Sequence, residues 1–470
     1  MRARNGAPPT HAPPGIPKAP RTDGISAGPA GSAGTPERPE QRRILAVLVL
    51  SQVLSGAGLA AGITVGALLA EEMLGSTGLA GVPSALFTAG AALGAVGIGR
   101  VCERRGRRPG LTLGYGAGAL GSLGVVLAAA LGSVPLLFLA LLIYGAGTST
   151  NLMARYAGAD LAAPERRGRA VSTVLFATTL GAVVGPNLVT VTGDVAHGWG
   201  IPRLAGPFLL AVVAFGAAAV VLACLLRPDP LRPAREPAVA NGPETGDDTD
   251  GGGTDDARTD GHPHDADRRC ARTVRRGVVT GTTVMVVTQL VMIAVMTMTP
   301  VHMRAHGHDT QAAGLVIALH VGAMFLPSPL TGALVDRVGR LWVAAASGLT
   351  LLAAGVLAAV APPHSLPALV VALLLLGIGW NFGLVSGTAL VTDALPPGNR
   401  ASAQGLVDVG IALAGAAGGM SSGAVVTLAG YPALAAAGGV LALAIVPVVA
   451  LAARRGRTVP PGSAEPVEQV

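Results

Sequence analysis

Charge is scarce in this 470-residue chain. Only 13% of its residues are Asp, Glu, Lys or Arg, against about 25% in an average soluble domain. Aromatic residues make up 3% and hydrophobic residues 51%, and the mean hydropathy is +0.58. A soluble protein with so few charges would lack a polar surface. The deficit therefore excludes an ordinary soluble domain and predicts a polytopic membrane protein whose main partner is the lipid bilayer.

Cysteine is also scarce, and its three positions are scattered at Cys102, Cys224 and Cys270. This odd set provides neither a disulfide framework nor the ligand spacing of a metal site. The sequence contains no catalytic constellation and no phosphate-binding loop. We therefore predict that the chain is not an enzyme and binds neither a cofactor nor a metal. We also considered metal sensing by the Asp and His residues of segment 227–277, with a solvated tether as the default interpretation.

Apolar runs of about 20 residues, each long enough to cross a bilayer, occur twelve times. They cover residues 44–70, 79–98, 111–131, 135–154, 170–192, 204–226, 278–300, 312–335, 341–361, 366–391, 402–428 and 432–453. Between the sixth and seventh runs, the polar, acidic segment 227–277 is typical of a disordered linker. We predict six-helix bundles at 43–226 and 278–453. Residues 1–42, which show no signal peptide, and residues 454–470 are predicted to be cytoplasmic tails, the first of them disordered.

The formal charge of +7 would point to nucleic acid in a soluble chain, but here topology explains it better. The arginines cluster in alternate loops between the apolar runs, whereas the other loops contain only Arg203 and Arg304. By the positive-inside rule, the arginine-rich loops, both termini and the linker are expected in the cytoplasm. We therefore predict a multi-pass protein of the cell membrane, expected to be a monomer, with no nucleic-acid partner.

The two halves of the chain share short patterns at one fixed offset. Glu103 and Asp336 differ by 336 − 103 = 233 positions, and Asp160 and Asp393 differ by 393 − 160 = 233. Because two separate loops obey the same offset, the sequence predicts an internal repeat. An even number of crossings in each half would give both halves the same orientation.

The loop after the second run resembles the Gly-x-Leu-x-Asp-Arg-x-Gly-Arg-Arg/Lys pattern of the major facilitator superfamily. The resemblance implies an all-α fold of twelve transmembrane helices in two parallel six-helix repeats. It also implies that the charged loops lock the halves together on the cytoplasmic side. The implied gate residues are Gly99, Glu103, Arg104, Gly106, Arg107, Arg108, Asp160, Gly332, Asp336, Arg337, Gly339, Arg340, Asp393 and Asp408. The alternative is that these arginines only set the topology.

Gly181, Gly185 and Pro186 in the fifth run resemble the Gly-x-x-x-Gly-Pro pattern of drug:proton antiporters in this superfamily, here of actinobacterial type. The match is partial. Ser172 stands where an earlier glycine is expected, and Leu141 occupies the position of the family's arginine in the fourth run. Ordinary helix packing by small residues remains the alternative.

In the family, the first, fourth, seventh and tenth helices line the central cavity. The candidate cavity residues are Gln52, Asn151, Gln289, Met292, Trp380 and Asn381. Without a fixed charge, and with an adaptable thioether, this set favours hydrophobic small-molecule substrates. The alternative is that these residues only pack between helices.

Two titratable residues inside the apolar runs, His320 and Asp408, are candidates for carrying a coupled proton, because ionisable groups within a bilayer are costly. We expect Asp408 to pair across the halves with the loop of residues 103–108, for which a charge swap with Arg104 is the test. His320 has polar packing as its alternative role. Together the patterns predict a secondary transporter that exports hydrophobic molecules or drugs in exchange for protons. The alternatives are uptake of a small metabolite, a transporter-like sensor and a membrane-embedded enzyme.

Overall fold

The computed structural model describes residues 39–74, 82–231, 263–396 and 398–456, and these residues form fourteen α-helices. In the first half they are α1 (Pro39–Leu74), α2 (Val82–Arg105), α3 (Arg107–Leu131), α4 (Val134–Ala159), α5 (Arg167–Asn187), α6 (Val189–Gly198) and α7 (Gly206–Leu225). In the second half they are α8 (Pro263–Ala305), α9 (Thr310–Phe325), α10 (Ser328–Val338), α11 (Arg340–Val360), α12 (Leu366–Ala394), α13 (Arg400–Leu443) and α14 (Ile445–Gly456). Short 3₁₀ turns at Pro164–Arg166 and Arg203–Ala205 precede α5 and α7.

The helices account for twelve membrane crossings within the described residues. Ten stretches are long and apolar enough to cross a bilayer, and the last, Arg400–Arg454, contains 55 residues. At 1.5 Å per residue it would extend for about 80 Å, more than twice the thickness of a hydrocarbon core. It bends at Gly430, whose φ of 83° is not helical, and so crosses twice. Helix α5, continued by α6, supplies the twelfth crossing, and the fold is all-α with six crossings in each half.

The repeat extends to the backbone conformation at equivalent turns. Gly106 separates α2 from α3, and Gly339 separates α10 from α11. Both have a φ of 105°, which glycine adopts without the steric cost that a side chain would meet. Since 339 − 106 = 233, the offset that relates the sequences also relates the shape of the chain.

Large apolar residues lie on both the inside and the outside of the molecule. In the first half, the rings of Tyr144, Phe208 and Phe215 are fully buried and pack edge to face, with centroids 5.5 to 5.7 Å apart. On the outside, Leu330 and Leu428 are 77% and 87% exposed. An outer surface of exposed leucines is what a protein needs where lipid is its solvent.

Three predicted boundaries were wrong, and at the last of them α14 continues to Gly456, inside the predicted tail 454–470. Helix α1 begins at Pro39 inside the predicted tail, because Gln41 is buried and donates a hydrogen bond to the Gly158 carbonyl oxygen at 2.9 Å. Residues 263–277, assigned to the linker, form the start of α8, since this stretch is rich in strong helix formers and contains no interior proline. The remaining parts of the predicted tails and linker, residues 1–38, 232–262 and 457–470, lie outside the described residues.

The fifth predicted run, 170–192, is two helices. Helix α5 ends at Asn187, directly after Pro186, and α6 begins at Val189. Leu188 lies between the two helices and retains a near-helical backbone. Proline removes a backbone donor and crowds the preceding turn, so a break at this position has a local cause.

Candidate functional site

The charged residues of the repeat meet where α2, α4, α10 and α12 end and where α3, α5, α11 and α13 begin. We call this side of the molecule the arginine-rich face. The first latch consists of Glu103, Arg107 and Asp160, and the second latch consists of their equivalents Asp336, Arg340 and Asp393. The hydrogen bonds and ion pairs that join the two halves concentrate at this face. The structure is therefore closed there.

In each latch, a carboxylate meets the first turn of a helix from the opposite half. Glu103 accepts a hydrogen bond of 2.8 Å from the backbone nitrogen of Ser402 in α13. Asp336 accepts bonds of 2.8 and 3.0 Å from the backbone nitrogens of Gly168 and Arg169 in α5. Because 402 − 169 = 233, the donors are related by the same offset as the acceptors. Each carboxylate thus lies at the positive end of a helix dipole.

Each latch also contains an arginine paired with an aspartate of its own half. Arg107 Nε lies 2.7 Å from Asp160 Oδ2, and both side chains are fully buried. Arg340 pairs with Asp393 in the equivalent way, but each of these side chains is 26% exposed. The two pairs have the same chemistry and different burial.

Further arginines cross from one half to the other. Arg400 lies 3.7 Å from Asp160, and its equivalent Arg167 pairs with Asp393. The Arg107 guanidinium also donates to Gln404 Oε1 of α13. Each latch aspartate is therefore shared by an arginine of its own half and an arginine of the other half.

Glycines allow the helices to meet closely at these crossings. Gly99 of α2 lies against the backbone of Ala401 and Gly405 in α13, and its equivalent Gly332 of α10 lies against Gly168 and Ser172 in α5. A Cβ atom at Gly332 would overlap the Gly168 backbone. The glycines of the motif thus bring the halves near enough for the carboxylates to reach the helix ends.

Deeper in the molecule, Arg155 of α4 and Asp408 of α13 form a buried ion pair, with 2.6 Å between Arg155 Nη2 and Asp408 Oδ1. The predicted partner of Asp408, the loop of residues 103–108 with Arg104, was wrong, because Arg104 is exposed at the end of α2. Sequence reasoning placed Arg155 in a loop, but it lies inside α4 and is fully buried. The offset was an available signal that Arg155 lies in a helix. Its equivalent position is Thr388 (388 − 155 = 233), which lies inside the predicted run 366–391. In the structure, Arg155 Nε donates a hydrogen bond to Thr388 at 2.9 Å.

Asp229, just after α7, is a further residue that the sequence did not reveal. Its carboxylate accepts hydrogen bonds from the backbone nitrogens of Arg107 at 3.0 Å and Arg108 at 2.8 Å. It therefore caps the first turn of α3. Arg108 also donates to the Ala223 carbonyl oxygen of α7 at 2.8 Å. These contacts connect the first latch to the segment that follows α7.

Arg337, the remaining predicted gate arginine, is exposed.

Two predicted cavity residues of the first half lie in a buried hydrogen-bond network. Gln52 is fully buried, and its amide nitrogen donates to the Asn151 carbonyl oxygen at 3.1 Å and to Thr178 at 3.0 Å. Asn151 Nδ2 donates to Ser55 at 2.9 Å. This network joins α1, α4 and α5 within one bundle, as the packing alternative expects.

In the second half, Asn381 bridges the break between α9 and α10 by donating to the Met324 carbonyl oxygen and to Ser328, each at 2.7 Å. Met292 is 2% exposed. Trp380 Nε1 donates to the half-buried Gln289 at 2.7 Å. Of the four predicted cavity residues in this half, only Gln289 is partly accessible in this closed arrangement.

The remaining predicted residues lie inside helices. Gly181 packs against the α1 backbone at Val53, and Gly185 and Pro186 lie in the last turn of α5. His320 is fully buried in α9, with Nδ1 2.8 Å from the Leu373 carbonyl oxygen of α12. His320 thus bonds within the second half, whereas Asp408 contacts both halves.

Comparisons with known proteins agree with this architecture. A model of the major facilitator superfamily matches residues 48–320 and 281–469. An uncharacterized transporter of the same type from Bacillus subtilis, YdeG, is 54% identical over 408 residues, which cover 87% of this chain and 91% of that protein. The riboflavin transporter RfnT of Brucella anthropi is 33% identical over 371 residues, covering 78% of this chain and 85% of that protein.

Solved structures show the same fold at low sequence identity. The human organic anion transporter MFSD10 aligns with a TM-score of 0.67 at 19% identity, covering 88% of this chain and all of that one. The transporter FucP in its outward conformation aligns with a TM-score of 0.65 at 15% identity, covering 88% and 99% of the two chains. The extent of the family match and the identity to its relatives together show that this chain belongs to the major facilitator superfamily.

Proposed function

We propose that this protein is a secondary active transporter that works by alternating access, with the two latches as its cytoplasmic gate. One observation carries the proposal. The same contact between a carboxylate and a helix start is formed twice, in opposite directions between the halves, by Glu103 with Ser402 and by Asp336 with Arg169. A charge at a helix terminus contributes about 0.3–1 kcal/mol when exposed and up to about 2 kcal/mol when partly buried. Contacts of this size can form and break as two rigid halves rock.

We propose hydrophobic small molecules as the cargo, efflux as the direction and inward proton flow in exchange as the driving force. Support comes from the antiporter-like glycine at Gly181, which lies against the α1 backbone. Further support comes from Gln289, a neutral amide and the only partly accessible member of its predicted set. A site without charged groups suits apolar cargo. An apolar molecule cannot pair with a charged side chain, and a buried charge without a partner is costly.

A second candidate is transport of a planar heterocycle such as riboflavin. The relative RfnT is named as a riboflavin transporter and is 33% identical over 78% of this chain. In this chain, Trp380 hydrogen-bonds Gln289 and meets Phe325 edge to face, with ring centroids 5.5 Å apart. Aromatic rings beside an amide offer stacking and one polar contact to a flat ring system.

Transport by the purified protein in liposomes separates these proposals. When the arginine-rich face points into the liposome and the outside is more acidic, the protein should expel lipophilic dyes. A protonophore should stop the expulsion. Riboflavin movement without dye movement would favour the second candidate. The Q289A variant should weaken transport of the true cargo, and S133A, in the turn between α3 and α4, serves as its control. Dye expulsion that is unaffected by the protonophore would contradict proton coupling.

A further inference from the structure

Among the hydrogen bonds and ion pairs that join the two halves in the described residues, the pair between Arg155 and Asp408 lies well inside the arginine-rich face. Asp408 lies eight residues after Arg400, the first residue of α13, which places it about 12 Å along the helix. The latch residues Glu103 and Ser402 lie nearer the arginine-rich face. When that face opens, Arg155 must leave Asp408, because the two residues belong to opposite halves.

One oxygen of this buried carboxylate is left without a partner. Asp408 is 3% exposed. Its Oδ1 accepts from Arg155 Nη2 at 2.6 Å and from the Tyr156 hydroxyl at 3.4 Å. Among the described residues, Oδ2 has no hydrogen-bond partner and is buried. An unmet buried acceptor is costly, and a proton on Oδ2 would remove the negative charge that makes it so.

The pair is not part of the repeated latch. The position equivalent to Asp408 is 408 − 233 = 175, which is Leu175. Leu175 is 1% exposed and packs with the core of the second half. If the repeat required this ion pair as a structural lock, position 175 would also hold a charged residue. The single carboxylate of Asp408 therefore has a role that the latches do not share.

The surroundings of Asp408 contain positive groups and few others that titrate. The groups facing it are Arg155 and Tyr156 of α4 and, at longer range, Arg107 of α3. From α12, Thr388 receives the Arg155 Nε hydrogen, and Met285 of α8 lies behind Thr388. From α2, the nearest approach is by backbone around Gly405 of α13. Among the described residues named here, Asp408 is thus the acid that bridges the halves beside Arg155.

Arg155 would stay in place if Asp408 lost its charge. Besides the bond to Asp408, its Nη1 donates to the Leu152 carbonyl oxygen at 2.5 Å, and Nη2 donates to the Tyr156 hydroxyl at 3.0 Å. Both acceptors belong to α4, the helix of Arg155 itself. The guanidinium therefore keeps partners within its own half when the halves separate, whereas a charged Asp408 would lose its paired cation.

We propose that Asp408 is the proton-binding site that couples proton movement to opening of the arginine-rich face. This inference rests on the proposed function and identifies its coupling residue. A proton arriving from the outer side forms an O–H bond at Oδ2, and the attraction to Arg155 falls. The halves then separate at the arginine-rich face, where the O–H bond breaks and the proton enters the cytoplasm. Asp408 regains its charge and pairs again with Arg155 when the face closes.

Accessibility of the gate tests this proposal without a substrate. Val171 is fully buried on α5 and packs with the core of the second half, so V171C reports opening. In a background with the natural cysteines replaced, maleimide labelling of V171C should accelerate as pH falls, by at least about fivefold, the lower end of typical coupling. Labelling of D408N should be fast at every pH. D408E should retain the pH dependence.

Control variants separate proton binding at Asp408 from titration of another group. D194N, at an exposed pair with Arg203 on the opposite face, should behave like the parent. If D408N does not fold, the double variant R155Q/D408N removes both charges together and should also label independently of pH. Persistent pH dependence in D408N or in the double variant would overturn the proposal. So would its disappearance in H320N with Asp408 intact.

Transport adds a second readout. D408N should lose movement driven by a proton gradient but retain exchange of labelled for unlabelled substrate at equal pH. Loss of both in folded protein would show that Asp408 is structural and would overturn the proposal. If the parent moves neither dyes nor riboflavin, both proposed cargoes fail, while the labelling experiment still decides the role of Asp408.

Discussion

The two latches have the same residues in the same order and differ in what surrounds them. In the first latch, Arg107 and Asp160 are fully buried. In the second, Arg340 and Asp393 are each 26% exposed. The first latch also has a clamp from Asp229, whereas a Cβ added at Gly339, in the equivalent turn of the second latch, would meet nothing within 4 Å. A duplicated motif can therefore provide one buried and one partly exposed half of the proposed gate.

Removing the arginine of each latch should give the largest contrast. R107A leaves Asp160 with only the more distant Arg400, and breaking a buried pair costs about 3–5 kcal/mol. R340A breaks a partly exposed pair, for which about 0–1 kcal/mol is expected. Thermal unfolding in detergent should thus show a much larger loss for R107A. Equal losses would show that burial does not distinguish the latches.

Removing the clamp should give an intermediate effect. D229A deprives the first turn of α3 of its acceptor for two backbone nitrogens, and loss of a helix cap costs about 0.5–2 kcal/mol. We expect a lower unfolding temperature and faster labelling of V171C. D194N is the matched control, because Asp194 lies in an exposed pair. If D229A has the unfolding temperature and the V171C labelling rate of the parent, the segment after α7 does not support the first latch.

Neutralising the carboxylates at the helix starts should give smaller and similar effects in both latches. E103Q and D336N each remove the charge from a helix terminus, at about 0.3–1 kcal/mol. Their effects should add in the double variant, since the two contacts lie at separate crossings. Labelling rates of V171C measure them. A double variant that is far worse than the sum would show that the two contacts are energetically coupled.

Ionic strength should give the smallest effect and act on one latch. The second latch pairs Asp393 with Arg167 and Arg340, all partly exposed, and salt screens exposed charges. In D160N, where the buried pair is gone, V171C labelling should rise with salt. In D393N it should be nearly independent of salt. The reverse order would assign the salt-sensitive contacts to the first latch.

The sequence predicted the fold because lipid imposes strict rules. Twelve apolar runs, the offset of 233 and the arginine-rich loops were sufficient for the all-α architecture, and the resemblance of the charged loop to the family pattern pointed to the latch residues. Helix boundaries were less accurate, as Pro39 and Pro263 show, because polar residues can extend a helix beyond the membrane. The cavity prediction was weakest, since a polar residue inside an apolar run looks the same whether it faces a cavity or, like Gln52, a neighbouring helix.

The sequence by itself determined the number of crossings, the repeat and the carboxylates and glycines that recur at one offset. Spacing along a helix fixes the depth and face of a residue, and both are local properties. Only the tertiary structure decided that Arg155 meets Asp408, 253 positions away, and that Asp229 caps α3. Such partners depend on how helices distant in sequence approach each other, which is set by packing across the two halves. The same packing buried the first latch and left the side chains of the second latch partly exposed.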